Sequence, residues 1–248
     1  MHLTTLGLPG LYTGTGAERY HAMTLQDDTE IPGILELLDQ VAEPQLAHLR
    51  VLELACGSGR ITLPMAQAGH RVLATDLSAD MLAILSDRLS TDALQAVAGQ
   101  VELRLADMTT FAADEKFKAV CLATASITLL DPDQQHRTLE NAVSHLAAGG
   151  ILIVSTDFIT VKERTINTVT LAPGVTLTED VDPAGGRRRT TLTWGEESYE
   201  SHLHLVPPAH LNAELARLGL RTVFQQSVAS PSLPHHSNVL IGAVLRHG

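Results

Sequence analysis

From residue 50 to residue 155 the chain alternates between short runs rich in Val, Leu and Ile and longer amphipathic stretches. Strands are expected at 50–55, 71–75, 100–105, 117–123 and 151–155, with helices at 60–68, 79–89 and 132–147. Strands separated by helices join through right-handed crossovers, which makes a parallel sheet with helices on both faces. The expected fold class is α/β: a Rossmann-like, doubly wound, seven-stranded sheet. A helix at 207–218 and strands at 222–228 and 238–245 complete it.

The rhythm breaks between 159 and 205. This stretch is rich in Thr and Val, alternates polar with apolar, and contains the turn signal Asp182-Pro183-Ala184-Gly185-Gly186, so an inserted antiparallel β lid is expected outside the main sheet. Before residue 50, apolar residues from Ala17 to Val41 recur at helical spacing with a gap between Asp27 and Pro32, implying two short helices. The chain then reads as one domain: an N-terminal helical cap (1–44), a ligand-binding core (45–158), the lid (159–205) and a C-terminal completion of the sheet (206–248). At 248 residues and 44% apolar composition, one large core is well supplied.

Charge narrows the partners. A net charge of -11 leaves no concentrated basic surface for a phosphate backbone, so nucleic acid is not expected. Met1-His2-Leu3-Thr4-Thr5 lacks the basic and apolar regions of an export signal, and no later run has the apolar length of a membrane helix. Cys56 and Cys121 lie in strand-like contexts, which suits reduced, structural thiols. A cytoplasmic protein without membrane contact, monomeric or homodimeric, is the expectation.

The chemistry concentrates where the first strand turns into its helix. Gly57 and Gly59, in Glu53-Leu54-Ala55-Cys56-Gly57-Ser58-Gly59-Arg60, let backbone approach a ligand at the carboxyl edge of the sheet. Asp76, about twenty residues beyond the turn, is placed to accept hydrogen bonds from ribose hydroxyls. Both features suit NAD and S-adenosylmethionine alike. Three details favour the second. The third glycine of a dinucleotide fingerprint is replaced by Thr62, whose side chain is expected to obstruct close helix–strand packing. Glu53 would repel a pyrophosphate but tolerate a cationic ligand. Asp107 and Met108 close the third strand with a carboxylate for an adenine amino group and an apolar side chain for its ring.

These residues resemble the class I S-adenosylmethionine-dependent methyltransferases. ELACGSGR looks like their first motif, LATDLSADML like the ribose and adenine segment, LADMTTF like the adenine edge, and LAAGGILIVS like the turn into the fifth strand. The likeness spans Val51 to Thr156 and departs at Ala55, where a glycine is usual. It implies that Glu53 faces the methionine amino group, with Ala55, Gly57 and Gly59 forming the loop around it and Asp76 holding the ribose. It further implies that Leu77, Met81 and Met108 enclose the adenine, Asp107 takes its amino group and Ala123 lies under the methionine moiety. Tyr20, with Tyr12 second, resembles the N-terminal aromatic that covers the cofactor, and Tyr20 is also a candidate catalytic residue.

Methyl transfer is an in-line displacement, so an amine acceptor needs little beyond positioning, whereas an oxygen acceptor needs a base. The lid segment Glu200-Ser201-His202-Leu203-His204-Leu205 puts His202 and His204 on one strand face, and either is a candidate base. His21, Trp194, Ser126 and Asp157 are weaker candidates, with Ser126 placed at the cofactor edge of the fourth strand. No third ligand accompanies His202 and His204 or His235 and His236 at metal spacing, so no metal is expected. Arg187-Arg188-Arg189 reads as a solvated charge run. VLELACGSGRITLPM, LATASITLLD and the lid's placement are similar to bacterial natural-product peptide N-methyltransferases of the glycopeptide-antibiotic and daptide types. This resemblance implies methylation of a peptide N-terminus or small amine by S-adenosylmethionine, with S-adenosylhomocysteine as product. An O-methyltransferase of a small hydroxylated metabolite, a non-catalytic cofactor-binding protein and an NAD-dependent oxidoreductase stand as alternatives.

Overall fold

The computed structural model describes residues 10–42, 48–233 and 235–246. Met1 to Thr5, read above for an export signal, and the boundary between 44 and 45 lie outside them. A 3-10 turn (Gly10–Tyr12) leads into α1 (Gly14–Thr24) and α2 (Ile31–Val41). The alternating core follows as β1 (Arg50–Leu54), α3 (Thr62–Gln67), β2 (Arg71–Asp76), α4 (Ala79–Leu89), α5 (Gln95–Ala98), β3 (Val101–Leu105), β4 (Phe117–Leu122), a 3-10 turn (Ser126–Leu129), α6 (Pro132–Ser144) and β5 (Leu146–Ile159). Four further strands come next, β6 (Thr165–Ala172), β7 (Val175–Asp182), β8 (Arg187–Trp194) and β9 (Glu197–His204), and the chain closes with α7 (Pro208–Arg217), β10 (Leu220–Ala229) and β11 (His236–Leu245).

The main sheet has seven strands in the order β10-β11-β5-β4-β1-β2-β3, and the expected doubly wound architecture is what forms. β1 to β5 run parallel, and β11 is inserted antiparallel between β5 and β10. The order reverses between β1 and β4, so their carboxyl ends open the crevice where such sheets bind ligands. Two apolar layers hold the helices on. Leu139, Leu211 and Leu215 of α6 and α7 pack on one face, and Leu37, Met65 and Leu85 of α2, α3 and α4 on the other.

Local chemistry sets the helix starts. The Ser78 hydroxyl accepts the Met81 N–H at 3.1 Å to begin α4, while Asp131 and Gln134 form a reciprocal capping box ahead of Pro132 at the start of α6. Expectation and structure part at the other end of α6, which stops at Ser144 where 147 was expected. Leu146 already pairs with Phe117, so the backbone groups that would extend the helix are taken by the sheet.

β5 is the structural surprise. Expected to end at 155, it runs fourteen residues to Ile159, paired along the way with β11 from Val244 down to His236. The pair projects past the carboxyl edge of the sheet and carries Asp157, Asn238 and His236 up to the level of the lid. The lid is an antiparallel sheet of β6-β7-β8-β9. β9 packs on both 3-10 turns, and Leu11, Val175 and Leu192 form a small apolar cluster to which Tyr12, Tyr20 and Tyr199 add.

Candidate active site

The turn after β1 is built around three residues of positive φ, Ala55 (56°), Gly57 (55°) and Gly59 (85°). A side chain pays for such a conformation in crowding of its Cβ, which is why a glycine is usual at the Ala55 position. A Cβ at Gly57 would meet no atom within 4 Å, so its backbone borders open space. A Cβ at Gly59, by contrast, would fall 2.3 Å from a Leu85 methyl. Gly59 serves close packing on α4 and Gly57 serves access.

Three carboxylates mark the strand ends. Asp76 accepts the Gly57 N–H at 2.7 Å on one oxygen and the Ser78 N–H at 2.8 Å on the other, tying the end of β2 to the loop. Burial raises its pKa, and the backbone N–H groups oppose the rise. Glu53 is 2% exposed, and its Oε2 accepts the Thr62 hydroxyl at 2.6 Å. Burial pushes the Glu53 carboxyl up to about 8; the Thr62 bond and Arg60 act against this and Asp76 adds to it. The expectation for Thr62 is thus corrected. Its side chain does not obstruct packing, because it is fully buried and spends its hydroxyl on Glu53. Asp107, at the end of β3, receives the N–H and hydroxyl of Thr109 on a single oxygen, at 2.8 and 2.7 Å.

The apolar candidates divide by exposure. Leu77 presents 37% of its surface and Met108 is half-buried against the core, whereas Met81 is inside at 1% and Ala123 at 4%. Ser126 is buried, with its hydroxyl 3.0 Å from that of Thr124. Thr124 and Ala125 are themselves left-handed. Their N–H groups are taken by the Glu30 carboxylate at 3.0 Å and the Ser155 hydroxyl at 2.9 Å, which holds the end of β4 in that conformation.

The N-terminal segment roofs the crevice. The Tyr12 carbonyl accepts the Ser78 hydroxyl at 2.5 Å and the Gly14 N–H donates to Asp80 at 2.7 Å, fastening the first turn to the start of α4. The rings of Tyr12 and Tyr20 meet edge to face at 5.2 Å. Burial raises both phenols, so they act as neutral hydrogen-bonding groups. The Tyr12 phenol lies within electrostatic reach of Asp76 and Arg188 and close to Ser201; the Tyr20 phenol lies within reach of Arg60, Asp27, Glu30 and Asp157. His21 of α1 adds a contact 2.9 Å from the Ser58 hydroxyl, and burial lowers its pKa.

The lid residues do not all converge. On β9 the inward face carries Ser201 and Leu203, both buried, while His202 is 76% exposed and pairs with Glu200 at 2.8 Å. His204 shares the parity of His202 and is half-buried. His202 and His204 share one face as expected; the apolar residues take the inner face, so the structure does not bring His202 to the crevice. Trp194 stacks under Arg19 at the far turn. The Arg187-Arg188-Arg189 run needs correction as well. Arg188 is only 12% exposed and bonds Asp157 at 2.9 Å. Glu30, Arg60 and Arg188 are the residues that sequence reasoning missed, and inward parity on β8 was the available signal for Arg188. Among the described residues, no group of three potential ligands could hold a metal ion, and no helix is long and apolar enough to cross a membrane.

Residues 51–150 match the family model described as a methyltransferase domain. No curated protein matches the chain. Among solved structures, an S-adenosylmethionine-dependent methyltransferase from Clostridium acetobutylicum ATCC 824 superposes with a TM-score of 0.71 at 15% identity, covering 93% of this chain and 98% of that one. The glycopeptide N-methyltransferase MtfA, complexed with S-adenosylhomocysteine, gives 0.62 at 25% identity over 87% of each chain. CalS10, an amino pentose methyltransferase from Micromonospora echinaspora, gives 0.65 at 19% identity over 97% and 99%.

The residues present fit S-adenosylmethionine. Gly57 borders open space beside Asp76, Asp107 keeps its second oxygen clear of the Thr109 bonds, and Leu77 offers an exposed apolar wall. With a methyltransferase-domain model matching residues 51–150 inside a class I topology, the chain has the fold of the S-adenosylmethionine-dependent methyltransferases.

Proposed function

We propose that the chain transfers a methyl group to an amine, at a peptide N-terminus or on a small molecule. The observation that carries this reading is the phase of β9. The histidines that could have served an oxygen nucleophile as base have the outward parity, and Ser201 and Leu203 face in. An amine needs no such base: a terminal amino group titrates near ~8, and a nearby positive sulfonium lowers that further. The likeness to MtfA, at 25% identity, supports a nitrogen acceptor.

S-adenosylmethionine supplies the electrophilic methyl. In the proposed arrangement Asp76 holds the ribose and Asp107 the adenine amino group, with Leu77, Met81 and Met108 about the ring. Glu53 and the loop Ala55, Gly57 and Gly59 take the amino-acid end, bordered by Ala123 and Ser126. Tyr12 and Tyr20 close over the crevice, exclude water and orient the acceptor nitrogen opposite the sulfur.

The test is incubation with methyl-labelled S-adenosylmethionine and a panel of free-amine peptides and amino sugars beside their hydroxyl counterparts. Label on nitrogen is expected. Label confined to oxygen would overturn the amine reading, and absence of S-adenosylhomocysteine binding would overturn the cofactor assignments.

A further inference from the structure

Above the carboxyl edge of the sheet, the projecting ends of β5 and β11 meet the lid in a chain of charged and polar groups. Asp157 bonds Arg188 at 2.9 Å, and Arg188 reaches Glu179 at 3.4 Å and His236 Nδ1 at 3.2 Å. A guanidinium can only donate, so Nδ1 of His236 is an acceptor and its ring proton sits on Nε2, 3.1 Å from Glu179. On β11, two residues from His236, Asn238 is the register partner of Asp157 and donates to Glu30 at 3.1 Å. Glu30 is paired at 3.1 Å with Arg60, which also holds Asp27.

Four carboxylates, Asp27, Glu30, Asp157 and Glu179, therefore share two guanidiniums, Arg60 and Arg188. Glu30 and Glu179 are 2% and 1% exposed, deep enough that salt screens their interactions little. Asp27, at 44%, and Asp157, at 24%, reach solvent, and of the two Asp157 stands on β5 beyond the carboxyl edge of the sheet. A second observation lies beside it. The Ser201 hydroxyl, on the inward face of β9, is 2% exposed and has no hydrogen-bond partner within normal geometry. Buried hydroxyls are rarely left so, and this one faces the Tyr12 phenol, itself within reach of Arg188.

The two tyrosines span the distance between the sites. Tyr12 senses Asp76, the ribose-side carboxylate, and Tyr20, in ring contact with it, senses Asp157. We propose that Asp157 is the acceptor-recognition residue: it receives the acceptor as a primary or secondary ammonium, at the junction of β5, β11 and the lid, with Ser201 donating to a neighbouring polar group of the acceptor. This rests on the amine reading above. After docking, the ammonium releases one proton to solvent. The nitrogen lone pair then forms the N–C bond as the C–S bond breaks, the electron pair of that bond stays on sulfur, and the positive charge passes from sulfur to nitrogen. Arg188 is a positioning residue that keeps Asp157 turned to the crevice.

The probe is n-butylammonium, with n-butanol as the neutral match, titrated into protein saturated with S-adenosylhomocysteine and followed by NMR shifts. Butylammonium is expected to perturb Asp157, Asn238 and Tyr20 signals in the unaltered protein, while butanol does not. Asp157→Asn should weaken butylammonium binding about tenfold or more and leave S-adenosylhomocysteine affinity unchanged; Asp157→Glu should keep most of the binding. Shifts located elsewhere, equal response to butanol, or undiminished binding by Asp157→Asn would each overturn the proposal. The shift map of the unaltered protein decides the matter even if a variant fails to fold. Nitrogen labelling with an unaffected Asp157→Asn would refute this site alone, whereas oxygen-only labelling would refute the amine reading itself.

Discussion

Replacing Glu53 by Gln should make the ligand-free protein more stable as pH rises. The Glu53 carboxyl is pushed by burial from 4.5 up to about 8, so the folded state keeps a proton that the unfolded chain surrenders. The stabilisation tied to that proton is fully present below 4.5 and is lost as pH climbs to about 8. At about 1.36 kcal/mol for each tenfold in proton affinity, the loss is capped at roughly 5 kcal/mol. Between pH 6 and pH 9 the same linkage amounts to roughly 2–3 kcal/mol. Glutamine keeps an oxygen to accept the Thr62 hydroxyl, now at 2.6 Å, and has no proton to lose. The assay is urea unfolding of both proteins at several pH values, comparing the difference between them so that all other titrations cancel. A difference that stays constant from pH 6 to pH 9 would refute the reasoning, because Glu53 would then be ionised in the folded state throughout.

Three further outcomes are expected. Ala55→Gly should relieve the left-handed strain and stabilise by about 0.5–1 kcal/mol in thermal or urea unfolding, less whatever the freer unfolded chain takes back. Gly59→Ala places a methyl 2.3 Å from Leu85 at φ +85° and should cost about 2 kcal/mol or more by the same assay. His202→Ala should change stability by less than about 0.5 kcal/mol and leave kcat and KM as they were, since its pair with Glu200 lies in solvent; a marked fall in kcat would restore it as a base.

What could be read in advance followed the strength of local signals. The glycine turn, the Asp76 and Asp107 strand ends and the bounds of α4 are written in contiguous residues, and helix periodicity and capping fix them locally. The four-residue α5 lacks enough turns to show a period. The length of β5 depends on pairing with β11, more than seventy residues away in the chain, so no neighbouring residue announces it. The phase of β9 is not legible for a related reason: alternation shows that His202 and Leu203 point opposite ways, but only docking on the N-terminal turn decides which way is in. A run of three arginines reads as solvated by charge alone, yet on a strand its middle member takes the face opposite its neighbours, and here that face is the buried one.

The projection of β5 and β11 bears on how such a chain can diversify. The inserted strands leave after Ile159 and the chain returns at Val206, whose carbonyl is held by Thr156 at 2.7 Å, so the whole excursion departs and comes home at one place. A replacement insert of different length or composition could be grafted between those two points with Asp76 and Asp107 untouched, provided it still packs on the Gly10–Tyr12 turn. Change in the inserted stretch would then reshape the surroundings of Asp157 through Arg188 and Ser201 while the strand ends that carry Asp76 and Asp107 stay as they are.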